Sequence, residues 1–194
     1  MVMALPAGAR VGTFAEGCRA AVLDFVNRIG VSRGKEQLAE WLRGPYRAHV
    51  VTIARASHRR ITPASLTPSS VQKLLTRTRE QVGETLLSLT DSEAGVAFGY
   101  DMLAAGLVYR CQDERGAQGW VPVAHPRMKL LDRVLSLVAA DHLLQADDYE
   151  TALFQCTACG ALSFDAQRRS GGVCGAHAHS DIRELGPVAV SLAS

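Results

Sequence analysis

From about Thr13 to Ile29, apolar residues return every three or four positions: Cys18, Val22, Phe25 and Ile29, with Ala21 and Val26 widening the stripe. That period is helical, and Gly30 supplies a stop. A shorter helix is predicted from Gly34 to Arg43, with Leu38, Trp41 and Leu42 turned inward and Gly44-Pro45 ending it. Tyr46 to Ile53 is β-branched and aromatic enough to predict a strand. Residues 57–69, with Pro63, Pro68 and several Ser and Thr, read as loop. Ser69 or Ser70 then caps a helix to about Leu89, whose inner face is Val71, Leu74, Leu75, Thr78, Val82 and Leu86. Asp91 or Ser92 caps the next helix, which ends near Ala105-Gly106. Leu107–Cys111 and Gly119–Ala124 flank a polar, glycine-bearing loop and predict a hairpin, with Pro122 placing the second strand at an edge. From Arg127 to about Ala146 a long helix is predicted. Met128, Leu131, Leu135, Val138 and His142 repeat at coiled-coil spacing, while Leu130, Val134 and Leu137 make a second side apolar. A helix apolar on two sides is buried between layers or pairs with a copy of itself. Residues 1–12 read as a frayed tail.

The expected class is therefore α+β and mostly helical, divided as 13–126, a connecting or dimerisation helix 127–148, and a small module 149–186. The 194 residues suit one domain with an appendage or two small domains, and 47% hydrophobic residues suffice for a core. A charged fraction of 21% argues against wholesale disorder. No stretch approaches the about 18 apolar residues of a membrane span. Met1–Gly12 shows no basic run followed by an apolar one, so no secretory leader is expected. The five cysteines are odd in number, and two form a C-x-x-C pair near a His-rich segment. That points to a reducing, cytoplasmic setting and a metal site rather than a disulfide framework.

Net charge is only +2, but its distribution is polarised. Between Glu40 and Glu80 no acidic residue occurs, while Arg43, Arg47, Arg55, Arg59, Arg60, Lys73, Arg77 and Arg79 contribute eight positive charges. From Val134 to Gln167 the bias reverses, with Asp141, Asp147, Asp148, Glu150 and Asp165 meeting no Lys or Arg. A cationic surface attracts phosphate and is the usual footprint of nucleic-acid binding. The competing reading is a solvated face neutralised by carboxylates elsewhere in the fold.

The strongest chemical signal is Cys156-Thr-Ala-Cys159, fourteen residues beginning with Gly160, then Cys174-Gly-Ala-His177. Zinc takes four such ligands in a tetrahedron, and two ligands separated by two residues can be held by one tight turn. Glycines after Cys159 and Cys174 permit backbone amides to point at the sulfurs, and two such knuckles on adjoining hairpins make a zinc ribbon, with Phe154 and Phe164 packing its core. So small a module would draw its stability from the metal. His179 competes with His177, whose spacing mirrors the first knuckle. Catalytic zinc would need an open position and a general acid or base; His177-Ala-His179 with Asp181 nearby permits it, but four closed, Cys-dominated ligands favour a structural role. The H-x-E with P-C-x-x-C deaminase pattern is absent. Gly30-Val-Ser-Arg-Gly34-Lys35-Glu36 fails as a phosphate loop: three residues separate the glycines, and Glu stands where Ser or Thr would bind magnesium. Cys18 on a helix's apolar face and Cys111 in a strand read as core rather than catalytic, and Asp147-Asp148 as a solvated helix end.

Helix, short helix, later helix, then Gly106-Leu107-Val108 entering a hairpin is the order of a winged-helix domain. Ala21-Val-Leu-Asp-Phe-Val-Asn-Arg-Ile-Gly30, Gly34-Lys35, Leu38 and Leu42-Arg43-Gly44 resemble the opening of the RQC-type winged helix of RecQ-family helicases, and Leu89–Val108 resembles its third helix and exit. The likeness covers about Ala20 to Val123. It implies binding of duplex or junction DNA, with Ser92 and Glu93 facing DNA, the Arg110–Trp120 wing beside them, Arg115 within that wing, and Trp120 near the tip stacking on a base. The sequence departs from that family in having no ATPase core, in placing the metal module after the winged helix, and in carrying Asp91, Glu93 and Asp101 where phosphate would lie. The expected function is a non-catalytic DNA-binding protein of transcription, replication or repair. The alternative is an adaptor or dimeric scaffold, self-paired through helix 127–146 or recruiting a protein at the zinc ribbon; a zinc hydrolase ranks last.

Overall fold

The computed structural model describes residues 2–5, 7–29, 33–52, 68–124 and 128–177. Its class is α+β, mostly helical. Helix α1 (Val11–Arg28) buries Phe14, Cys18, Ala21, Val22, Phe25 and Val26, the stripe its period predicts. Helix α2 (Gly34–Arg43) lays Trp41 against it: the indole Nε1 donates to Ala21 O at 2.8 Å, and the ring lies 5.0 Å from Phe25.

The strand expected over Tyr46–Ile53 shrinks to Val51–Thr52 (β2). Pro45, whose fixed φ suits a first helical turn, starts the short helix α3 (Pro45–Ala48) instead, and that turn stacks Tyr46 on Trp41 at 5.3 Å. Helix α4 (Pro68–Ser88) also starts at a proline, so Ser69 and Ser70 sit inside its first turn rather than at its cap. Val71, Leu75, Thr78, Val82 and Leu86 are buried, whereas Leu74 stands one step off that stripe and is 38% exposed. Ile53 and residues 57–67 lie outside the described residues.

Helix α5 (Ser92–Ala104) starts as expected, with Asp91 Oδ1 accepting from Ala94 N at 2.9 Å. It ends where Gly106 takes φ +67°, which lets Gly106 N reach Leu103 O and Leu107 N reach Met102 O. The chain passes straight into β3 (Val108–Gln112) and β4 (Gln118–Ala124), an antiparallel hairpin pairing Val108 with Pro122 and Gln112 with Gln118. The sheet order is β1-β3-β4-β2. Residues 1–12 are thus not simply frayed: β1 (Met3–Ala4) runs parallel to β3, Leu5 N donates to Gln112 O at 3.1 Å, and Leu5 is buried. Nor is β4 an edge. Strand β2 pairs with Val123 and Ala124, just past Pro122, so the missing N–H is tolerated where the second ladder has not begun.

Gly119 in β4 faces Val11, whose Cγ1 lies 2.4 Å from where a Cβ would stand. Valine is stiff and Val11 is buried. Gly119→Ala is expected to cost about 1–3 kcal/mol in chemical denaturation, because α1 must shift off the sheet.

Helix α6 (Leu130–His142) is the centre of the fold, packed against α1, α4, α5 and β4. Asp132 Oδ2 caps its start by accepting from Lys129 N at 3.2 Å. Of the two alternatives for an apolar-sided helix, the chain's own layers fill both sides, and Val134, Leu137, Val138, Ala139 and Ala140 are fully buried. The helix is shorter than expected. Leu144 N and Gln145 N both turn to Asp141 O, and a new helix, α7 (Ala146–Ala152), begins. Asp147 and Asp148 therefore occupy the first turn of α7, not the end of a long helix. Strands β5 (Leu153–Gln155) and β6 (Leu162–Phe164) follow as a hairpin, then the helical turn α8 (Ala166–Arg169). Tyr149, Leu153 and Leu162 belong to the same buried cluster as α1 and α6.

Candidate metal centre and cationic surface

Cys156 and Cys159 lie in the turn joining β5 to β6. Gly160 takes φ +71° there, as the glycine after Cys159 was expected to, and its N–H closes the turn onto Cys156 O at 2.8 Å. Cys174 and His177 come from the loop after α8 rather than from a second hairpin. The glycine that loop needs is Gly172, at φ +63°, whose carbonyl accepts from Thr157 N at 2.8 Å and holds the two halves together. Gly175 needs no such conformation.

One donor atom from each of Cys156, Cys159, Cys174 and His177 lies within 4.8 Å of the others, so the four can hold a metal ion. Cys159 Sγ and Cys174 Sγ are 3.8 Å apart, and Cys174 Sγ is 3.3 Å from His177 Nδ1. Tetrahedral arms of about 2.3 Å give edges of about 3.8 Å, so the donor set is already near the shape an ion would take. The Cys174 amide, 3.3 Å from Cys156 Sγ, leads the backbone N–H groups that lower the Cys156 thiol to about 6, helped by those of Cys159 and Ala158. His179 lies outside the described residues. Phe154 is buried and Phe164 packs against the main core, so the two do not make a separate core for the module.

The metal-site hairpin is tied to α1. Asn27 Nδ2 donates to Leu162 O at 2.8 Å and Leu162 N donates to Asn27 Oδ1 at 3.0 Å, so one side-chain amide serves β6 as a strand would. Nearby, Arg19 sits 4.4 Å above the Phe164 ring and donates from Nε to Asp141 Oδ2 at 2.7 Å. It also pairs with Asp148 at 2.8 Å and bonds Gln145 Oε1. Tyr149 OH gives Asp141 Oδ2 a second hydrogen bond at 2.7 Å. Asp141 is wholly buried, and burial lifts its carboxyl above the ordinary range against the downward pull of Arg19 and Tyr149. Neither group was a candidate on sequence grounds. The signal was present: Asp141 falls in phase with Val134, Leu137 and Val138 on the buried side of α6.

No family model matches the chain, and comparisons with curated proteins and with solved structures found no match.

The predicted cations part company. Arg43, Arg47, Lys73 and Arg77 are exposed on α2, α3 and α4, and α2 packs on both of the others. Among the described residues no carboxylate forms an ion pair with any of the four. Arg79 is different. Its Nε and Nη1 donate to Val26 O and Ile29 O at 2.9 and 2.8 Å, satisfying the last carbonyls of α1. Arg55, Arg59 and Arg60 lie outside the described residues. Arg110 and Arg115 are exposed on the hairpin, away from α2–α4 in sequence. Trp120 is not near the tip: it lies mid-strand opposite Arg110, half-buried against the core, with the Arg110 guanidinium 5.5 Å from its ring.

Proposed function

We propose that this chain is a non-catalytic, cytoplasmic DNA-binding protein with a structural zinc ion, acting in transcription or in DNA replication and repair. The observation that carries the reading is the set of exposed cations Arg43, Arg47, Lys73 and Arg77 on three adjoining helices, none ion-paired among the described residues. Phosphate contact needs charges that reach solvent without an internal partner. The helix-to-hairpin passage through Gly106 supports the winged-helix resemblance. Helix α5, its third helix, carries no Lys or Arg, so DNA contact falls to the α2–α4 face and the hairpin rather than to α5. Zinc is the ion best matched to three thiolates and an imidazole in a closed set, and that closure favours structure over catalysis.

The test is salt-titrated binding across single-stranded, duplex and branched DNA and RNA. Changing Arg43, Arg47, Lys73 and Arg77 to Gln together is expected to weaken duplex binding and to make the log K against log salt slope shallower by about one per cation removed. Thermal unfolding should be unchanged, since all four are exposed. Affinity indifferent to salt, or equal in the fourfold variant, would overturn the reading.

A further inference from the structure

Helix α5 turns Phe98, Met102 and Leu103 toward the core and meets the end of α6 across a pair of glycines. Its buried residues are Gly95 and Gly99. A Cβ on either would stand 2.8 Å from His142 Nε2 or 2.9 Å from Leu143 Cδ2, so the helix approaches the end of α6 through its side-chain-free face. On its outer side two large side chains stand in solvent: Val96 is 60% and Tyr100 71% exposed, one helical turn apart. Tyr109 reaches over the end of α5, its hydroxyl 3.7 Å from the Cβ position of Gly106, and Leu144 follows the residue that covers Gly99. These four account for most of the exposed large hydrophobic side chains among the described residues. Around them stand Asp91, Glu93 and Asp101, all exposed, and no Lys or Arg occurs from Asp91 to Tyr109. The face is apolar and anionic, which repels phosphate and calls for an apolar, cationic partner.

The chain carries that complement itself. On α4, Leu74 is 38% exposed, with Lys73 before it and Arg77 a turn later, and Arg43 and Arg47 extend the positive field on the adjoining α2 and α3. We propose that the outer face of α5 docks on the cationic α2–α4 face of a second copy of this chain. Related by a two-fold axis, two copies make the contact twice and leave neither face open. Each contact would rest on a few apolar side chains and opposed surface charges, so association is expected to be reversible and salt-sensitive rather than obligate. The inference stands on the α5 face and not on the DNA reading, but the two share the α2–α4 surface, so self-association and polyanion binding exclude each other.

The test is sedimentation of the full, metal-loaded chain without nucleic acid. The wild type is expected to pass from monomer to dimer with rising concentration, less readily in high salt. Val96→Ser with Tyr100→Ser should weaken association about tenfold or more while leaving the unfolding transition in place. A charge swap checks the pairing itself. Glu93→Lys with Asp101→Lys, and separately Lys73→Glu with Arg77→Glu, should each be monomeric, and mixing the two should restore a dimer. A wild type that stays monomeric at hundreds of micromolar in low salt overturns the proposal, as it would if α5 were covered by another part of the chain or by a different protein. So does association unchanged in V96S/Y100S, or a mixture of the two charge variants that remains monomeric.

Discussion

Arg19→Met is expected to destabilise the fold by about 3–5 kcal/mol, the usual consequence of leaving one partner of a buried ion pair alone. Asp141 has no exposed surface, and among the described residues its Oδ1 has no hydrogen-bond partner while Oδ2 relies on Arg19 and Tyr149. Removing the guanidinium leaves a carboxylate held by one phenol. Asp148, which also pairs with Arg19, loses its counter-charge at the same time and adds repulsion to the exposed side of the site. The deficit carries a pH signature. Burial already raises the folded Asp141 carboxyl above its unfolded value, and loss of Arg19 raises it further. Between the two values the folded state holds the extra proton, so stability falls as pH rises through that window. The variant should lie nearest the wild type at roughly pH 4 and drop progressively behind toward neutrality, read by urea unfolding at several pH values. A double variant, Arg19→Met with Asp141→Leu, should recover much of the loss, because a pair replaced by apolar residues leaves no lone charge. A single variant as stable as the wild type at neutral pH would show that the pair is not buried in solution.

Cys156→Ser is expected to abolish metal binding at the proposed zinc site and to open the segment from β5 to His177. Cys156 is the innermost ligand, and its sulfur accepts the Cys174 amide that joins the two halves of the site. Zinc content measured by atomic emission should fall from about one ion per chain to a trace. Limited proteolysis should then cut between Gln155 and His177. The melting temperature should drop by about 5–10 °C, because Asn27 and the Arg19–Phe164 contact lose what they hold. A metal-free chain whose C-terminal segment resists protease would mean that side-chain packing alone maintains the turn.

Periodic features were legible in the sequence, and singular ones were not. Helix α2 matches its predicted bounds because stripe, glycine and proline all agree there. Cys156, Cys159, Cys174 and His177 were legible because ligand spacing is a local property. Tyr46 misled: β-propensity is weak, and a proline ahead of it together with Trp41 as a stacking partner decided for a helical turn. Trp120 misled because a hairpin's tip cannot be fixed without its register. Arg79 looked like one more cation of a basic run, and only the end of α1 shows that its guanidinium belongs to backbone carbonyls. Asn27 offered no pattern at all, since its partner is 135 residues away.

That separation bears on synthesis. A ribosome releases α1 long before β6 exists, and β1 long before the strand it pairs with. Contacts of such long range form slowly, because the intervening loop must close first. The nascent chain therefore carries α1 without the strand that Asn27 ties to it until nearly all the residues described have emerged. The last tie of the fold is thus a late one, and a chain stopped before Leu162 would leave the Asn27 amide without the strand it serves.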